Sequence, residues 1–409
     1  MKHDRVRIVW ASALILDFHL HKTTQLEILQ NLSKKGYNVL LIGMRSRETF
    51  KIQDDLSNRS YGFQQLVTVP MRYFPVVSQI MYTIVLSFFL PVYISLFNPD
   101  FVIMQPDISV LSSIHSIIVS KFRKTKFILD IRSAPVDACG FHGVLKKFWF
   151  NSSVVLAKRL FSGLTTITPM MKEEICSEFS IKPSRVGTWA SGVSPTIFDP
   201  NEWRARGNEL RAKLGLSGKF VVFYHGSLSD NRGISETIEA TKIILKNHSG
   251  IALFLLGSGP FASELKFIIK KENLQHNVFI HNAVKYEQVP AFISMCDVGI
   301  IPLPNYSIWR PQSPLKLLEY LAMKKVVIAT DLPAHRNVLD NQKCGIYLSS
   351  VNPQIIARGI EYALINKDKL GNWGDSGRKI ILSNYTWEKV AGDLEHFLLG
   401  LRQNALYKS

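Results

Sequence analysis

Ser313-Pro-Leu-Lys316-Leu-Leu-Glu319-Tyr320, continued by Leu-Ala-Met-Lys-Lys-Val-Val-Ile-Ala-Thr-Asp331, reads as an anion-binding helix start delivered between buried strands. Ser313 fits the N-cap and Pro314 the first helical position, where no N–H is needed. The free N–H groups of that first turn, around Ser313 and Leu315, and the positive end of the helix dipole would hold a phosphate, with Lys316 adding a full charge. Lys316, Glu319 and Tyr320 share one face, while Leu315, Leu318 and Ala322 form the apolar face. Taken alone, the same pattern also fits an amphipathic helix with a solvated Lys and Glu.

Its surroundings favour the site. In Val221-Val-Phe-Tyr-His-Gly226-Ser227-Leu-Ser-Asp-Asn-Arg232-Gly233 an apolar strand ends at a glycine turn, and a basic residue sits at the entrance of a second helix. Ile234, Ile238, Thr241 and Leu245 give that helix one packing stripe. Gly226 permits close backbone approach, and Arg232 can grip phosphate oxygens bidentately. Ile251 to Leu256 followed by Gly257-Ser-Gly259-Pro260 repeats the theme, though without the third glycine of a dinucleotide fingerprint.

Strand-like runs alternate with helical stretches through the whole chain. The first half has them at 6–10, 38–42, 65–69, 101–104, 127–131, 164–168 and 186–190, and the second half at 220–224, 251–256, 277–281, 297–301 and 325–329. Such alternation predicts parallel sheets covered on both faces, an α/β chain of two doubly wound domains joined near Pro195 to Pro200. Ligands of open sheets bind outside the carboxyl ends of the strands, where the glycine turns fall. Ala11-Ser-Ala-Leu-Ile15 is expected to be the turn after the first strand.

The Gly226-to-Gly233 segment, the Gly257 turn, Asp297-Val-Gly-Ile-Ile-Pro302 and the Ser313-to-Ala322 block, in this order, resemble the nucleotide-sugar half of glycosyltransferase family 4, with its GT-B fold. The likeness covers most of residues 186–400. It implies two Rossmann-like domains facing across a cleft: an acceptor domain at 1–198, a nucleotide-sugar domain at 199–385, and a helix at 386–409 crossing back to the first. The implied reaction moves a sugar, with retained configuration, from a UDP- or GDP-linked donor to a hydroxyl of a lipid-linked or surface-polysaccharide acceptor. Arg232 and Lys316 take the phosphate-binding positions and Glu319 the ribose-binding one, with Gly226, Ser227, Gly257, Ser313 and Leu315 lining the nucleotide. In the acceptor half, Asp130, Arg132, Asp137 and His142 are candidates for acceptor contact, with Asp130 and His142 the catalytic candidates; turn stabilisation fits each equally. The family's usual Glu-x7-Glu pair is broken, because Pro311 stands where the first glutamate belongs. Trp309, Arg310 and Gln312 are the candidates to hold the sugar hydroxyls instead. A nucleotide-sugar 2-epimerase and a non-catalytic subunit that activates a partner transferase share the architecture and stay open.

No Asp-x-Asp pair suggests a metal site, so neither metal nor separate cofactor is expected. The 409 residues carry 49 Lys plus Arg against 32 Asp plus Glu, a formal +17 without an arginine-rich tail, which points to an anionic membrane surface rather than nucleic acid. Four scattered cysteines give no disulfide framework, and the N-terminus lacks a long apolar leader, so a cytoplasmic chain is expected. From Tyr73 to Pro99 there is no charge, a length that meets the criterion for a membrane span. Pro91 and the strand that follows at once favour a helix in the interface or packed in the domain, and hence peripheral association with the inner membrane face.

Overall fold

The computed structural model describes residues 6–15, 21–46, 65–71, 75–136, 140–339 and 344–406. The chain divides into two compact units, Met1–Ala190 with Trp387–Ser409, and Ser191–Thr386.

Among the described residues of the first unit, strands β1 (Arg7–Ile15), β2 (Asn38–Ser46), β3 (Gln65–Met71), β4 (Phe101–Met104), β5 (Lys126–Ile131), β6 (Gly163–Thr166) and β7 (Val186–Thr188) form a parallel sheet in the order β3-β2-β1-β4-β5-β6-β7. Helices α1 (His21–Lys34), α2 (Pro75–Phe97), α3 (Ser113–Arg123), α4 (Gly140–Leu160) and α5 (Pro169–Glu178) connect them. β4 and β6 are buried at every residue, as strands covered on both faces must be. The expected turn at Ala11 to Ile15 is instead strand: Ala11 stays opposite Ile42 and Ile15 opposite Met44, with a register irregularity between. The chain there continues the ladder rather than ending it. One core lies between the sheet and the helices α2, α4 and α5, where Tyr82, Leu86, Leu90 and Ile94 of α2 join Val154 and Ala157 of α4. The Tyr82 hydroxyl donates to the Ile42 carbonyl at 3.0 Å, which seats α2 against the sheet.

In the second unit β8 (Phe220–Ser227), β9 (Ile251–Ser258), β10 (Val278–His281), β11 (Val298–Ile301), β12 (Val326–Thr330) and β13 (Gly345–Leu348) form a parallel sheet in the order β10-β9-β8-β11-β12-β13. Its helices are α6 (Pro200–Lys213), α7 (Ile234–Leu245), α8 (Ala262–Lys271), α9 (Val289–Met295), α10 (Leu315–Ala322), α11 (Pro333–Leu339), α12 (Pro353–Ile365) and α13 (Leu370–Asn384). The strand order reverses between β8 and β11, and there the carboxyl ends leave a crevice. Residues 191–198 belong to this unit, so its start lies ahead of the expected 198/199 boundary. Val193 bridges Thr386, and the Phe198 ring meets Tyr286 edge-on at 5.5 Å. A final helix α14 (Trp387–Leu406) packs on the first unit: Glu395 accepts from Lys35 at 2.6 Å and from the Tyr37 hydroxyl at 2.8 Å.

Candidate functional site

The carboxyl end of β8 and the helix α10 bring the predicted phosphate ligands of the second unit together. Tyr320 of α10 donates its hydroxyl to the Phe223 carbonyl at 3.0 Å, which fixes the helix to β8. One turn earlier, the Lys316 ammonium lies 4.1 Å from the centre of the Tyr224 ring. It also lies 3.0 Å from where a Cβ would stand on Gly226, whose φ of +126° favours glycine for a second reason. The face of the Tyr224 ring supplies cation–π attraction and desolvates the charge. Burial first, then the nearby Arg232, brings the Lys316 pKa down to about 7, while Glu319 acts in the opposite direction.

Arg232 ends a 3-10 turn, Asp230–Arg232, directly ahead of α7, and its guanidinium sits 4.7 Å over the Trp309 ring. Both cations thus rest on aromatic faces at the β8/β11 switch, and each raises the need for an anion to offset the other. Ser227, the last residue of β8, shares a hydroxyl bond with Ser229 at 2.8 Å and has its carbonyl held by the Tyr224 hydroxyl. A Cβ on Gly257 would fall 1.9 Å from the Gly226 carbonyl oxygen. Gly257 therefore lets β9 close against the Gly226 turn.

The helix start differs from expectation. Pro314 occupies the cap position with extended ψ, its carbonyl accepts from the Leu317 N–H at 3.0 Å, and Ser313 makes no capping bond. Pro314 is held extended, so the first helical residue is Leu315. Nor is α10 amphipathic with a solvated carboxylate: Leu317 to Ala322 are all buried, and Glu319 is only 4% exposed. Its carboxyl is pushed up to about 7 by burial, against the pull of a hydrogen bond from Tyr286 and of the Lys316 charge. His225 Nε2 lies 3.2 Å from Glu319 Oε2 but off hydrogen-bond geometry, and burial with the Lys316 charge holds this imidazole neutral. The contact is therefore one of proximity, without a formed ion pair.

His225, Tyr286 and His335 are site neighbours that sequence reasoning missed. His335 of α11 is fully buried and is bonded through Nδ1 to the Thr330 carbonyl at 2.6 Å; burial brings its pKa down to about 4, and the Lys316 charge adds to the shift. Their signal lay in position: His225 immediately precedes Gly226, and His335 follows the carboxyl end of β12. Of the substitutes for the first glutamate, Trp309 is buried beneath Arg232, Gln312 donates to the Ile308 carbonyl at 3.1 Å, and Arg310 is exposed and bonded to Asn305 at 2.8 Å. Pro311 itself is buried.

In the first unit, Asp130 on β5 is fully buried. Its Oδ1 accepts from Thr165 at 2.7 Å and from the Trp189 indole at 3.0 Å, a bracing role for β5, β6 and the chain after β7. Arg132 lies 3.5 Å over the Trp189 ring and donates to the Trp189 carbonyl at 2.7 Å. Asp137 lies outside the described residues, as does the side chain of His142. Among the described residues no group of three His, Cys, Asp or Glu could hold a metal ion.

The family model for glycosyl transferases group 1 matches residues 207–380. Among sequence relatives, an uncharacterized glycosyltransferase of Methanocaldococcus jannaschii is 25% identical over 278 residues, 65% of this chain and 67% of that protein. A GDP-mannose-dependent alpha-(1-6)-phosphatidylinositol monomannoside mannosyltransferase of Mycobacterium tuberculosis is 24% identical over 211 residues, 51% of this chain and 54% of its own length. The aligned stretch thus spans about half to two-thirds of these relatives. Anabaena HepE, solved in complex with UDP, superposes with a TM-score of 0.73 at 13% identity, over 97% of this chain and all of that one. The chain has the GT-B fold of glycosyltransferases, and residues 207–380 within it match the glycosyl transferases group 1 family.

Proposed function

We propose that this protein transfers a sugar, with retention, from a UDP- or GDP-linked donor to a hydroxyl of a lipid-linked or surface-polysaccharide acceptor. The observation that carries the reading is the pair of ring-backed cations, Lys316 over Tyr224 and Arg232 over Trp309, at the β8/β11 switch point. In the reaction the bond between the anomeric carbon and the diphosphate oxygen breaks, a bond to the acceptor oxygen forms, and the acceptor proton is released. Charge builds on the departing diphosphate, so fixed cations there stabilise the transition state more than the ground state. Removing one such donor costs about 3 kcal/mol, on the order of a hundredfold in rate. Glu319 is assigned to the ribose rather than to proton transfer. The relative that uses GDP-mannose and the fold neighbour that holds UDP support a nucleotide-sugar donor.

The test is the melting temperature of the full chain with UDP or GDP. At about a hundredfold excess over Kd the ligand should add about 2.7 kcal/mol of stability. Lys316→Ala with Arg232→Ala should abolish the shift, and a full shift in that double variant removes these residues from the phosphate site. Buried Pro311 favours one second reading, a nucleotide-binding subunit without transfer of its own. Nucleotide binding without hydrolysis or transfer of any nucleotide sugar would select it.

A further inference from the structure

The first unit carries an apolar surface that the donor chemistry does not explain. α2 buries Tyr82, Leu86, Leu90 and Ile94 and turns an opposite stripe outward: Met81, Ile84, Phe88 and Leu96, with Phe88 74% and Leu96 78% exposed. α3, which packs beside α2, repeats the four-residue spacing with exposed Ile114, Ile118 and Phe122, the last at 85%. α4, on the same side of the sheet, does so with Val144 and Phe148. Isolated exposed apolar residues are ordinary, whereas stripes on consecutive helices mark a surface that meets something apolar.

Charge identifies the occupant. α2, α3 and α4 contain no Asp or Glu, and exposed Lys121, Arg123 and Lys124 bracket Phe122, as Lys146 and Lys147 precede Phe148. Aromatic and aliphatic groups flanked by cations and free of carboxylates match the headgroup layer of an anionic bilayer. We infer that this face docks on an anionic membrane surface, with Phe88 and Phe122 inserted and the lysines among the headgroups. α2 is long and apolar enough to cross a bilayer. Its Tyr82-to-Ile94 stripe, however, is committed to the core, so crossing would require unpacking the sheet. The inference rests on the first unit alone and is independent of the transferase reading.

The experiment is co-sedimentation of the full chain with phosphatidylcholine vesicles containing or lacking roughly one-third phosphatidylglycerol. The protein should pellet with the anionic vesicles, be released by 1 M salt, where the Debye length is ~3 Å, and stay in solution with the neutral ones. Phe88→Ser and Phe122→Ser should each weaken the vesicle affinity about tenfold or more. Both residues are exposed, so the melting temperature and its shift with UDP should stay as in the parent, which separates lost docking from lost folding. Changing Lys121, Arg123 and Lys124 to Gln should flatten the salt dependence. Equal binding to neutral vesicles, unchanged affinity in both Phe variants, or release by detergent alone would overturn the inference. So would a dimer in solution that Phe88→Ser converts to monomer, which would give the face to a second copy of the chain.

Discussion

Lys316 and Glu319 are two buried, opposite charges whose pKa values both converge on about 7. Lys316 lies below its unfolded value, so folding releases its proton between about 7 and the ordinary lysine range, and this contribution to stability rises with pH across that window. Glu319 lies above its unfolded value, so its contribution is present at low pH and is lost as pH rises towards about 7. Without nucleotide, the pair is therefore least comfortable near neutrality. Lys316→Met should raise the melting temperature of the free protein, by more at about pH 6 than at about pH 9; a pH-independent difference would show that the ammonium is not desolvated. A bound diphosphate restores the charge on Lys316. Calorimetry of UDP binding at about pH 8, in buffers of differing ionisation enthalpy, should accordingly report proton uptake, and Lys316→Met should lack it. Lys316, Arg232 and Gly226 were legible from spacing because each belongs to a short local pattern. Tyr286 and His335 were not, because they reach the cluster from a separate turn and helix, and His225, though beside Gly226 on β8, carries no spacing signal of its own.

At the level of elements, the strands were legible wherever a buried parallel strand must be an unbroken apolar run, as in Phe101–Met104 and Val298–Ile301. β13 was not, because Gly345-Ile-Tyr-Leu is an edge strand that pairs with β12 alone and alternates half-buried with buried residues, so it offers no unbroken apolar run. The capping reading of Ser313 failed for a local reason, since Pro314 takes the cap itself. The seat of α14 depends on glycines that no sequence pattern announced. A Cβ on Gly187 of β7 would stand 2.5 Å from the Phe397 ring, and one on Gly163 3.0 Å from it. Gly187→Leu should therefore push the helix off and destabilise the first unit by about 1–3 kcal/mol, read as a lower urea midpoint. Adding Phe397→Ala to that variant should recover part of the loss. If the pair is simply additive, the two residues do not share the space.

For the whole molecule, both compact units have cores of their own, and the second is contiguous in sequence. Residues 191–386 expressed alone should fold cooperatively and keep the UDP-dependent melting shift; loss of that shift in a folded fragment would show that the nucleotide site needs the rest of the chain. Residues 1–190 alone should remain loosely packed, because Leu394 and Leu398 of α14 are missing from their core. Val193 pairs with Thr386, so the chain departs and returns at neighbouring points. Order of synthesis follows from this: the ribosome makes most of the first unit before the second, but its closing helix only after the second is complete. The second unit can mature during translation, while the first must wait unfinished until its closing helix follows, its hydrophobic core open to whatever chaperone or membrane is at hand.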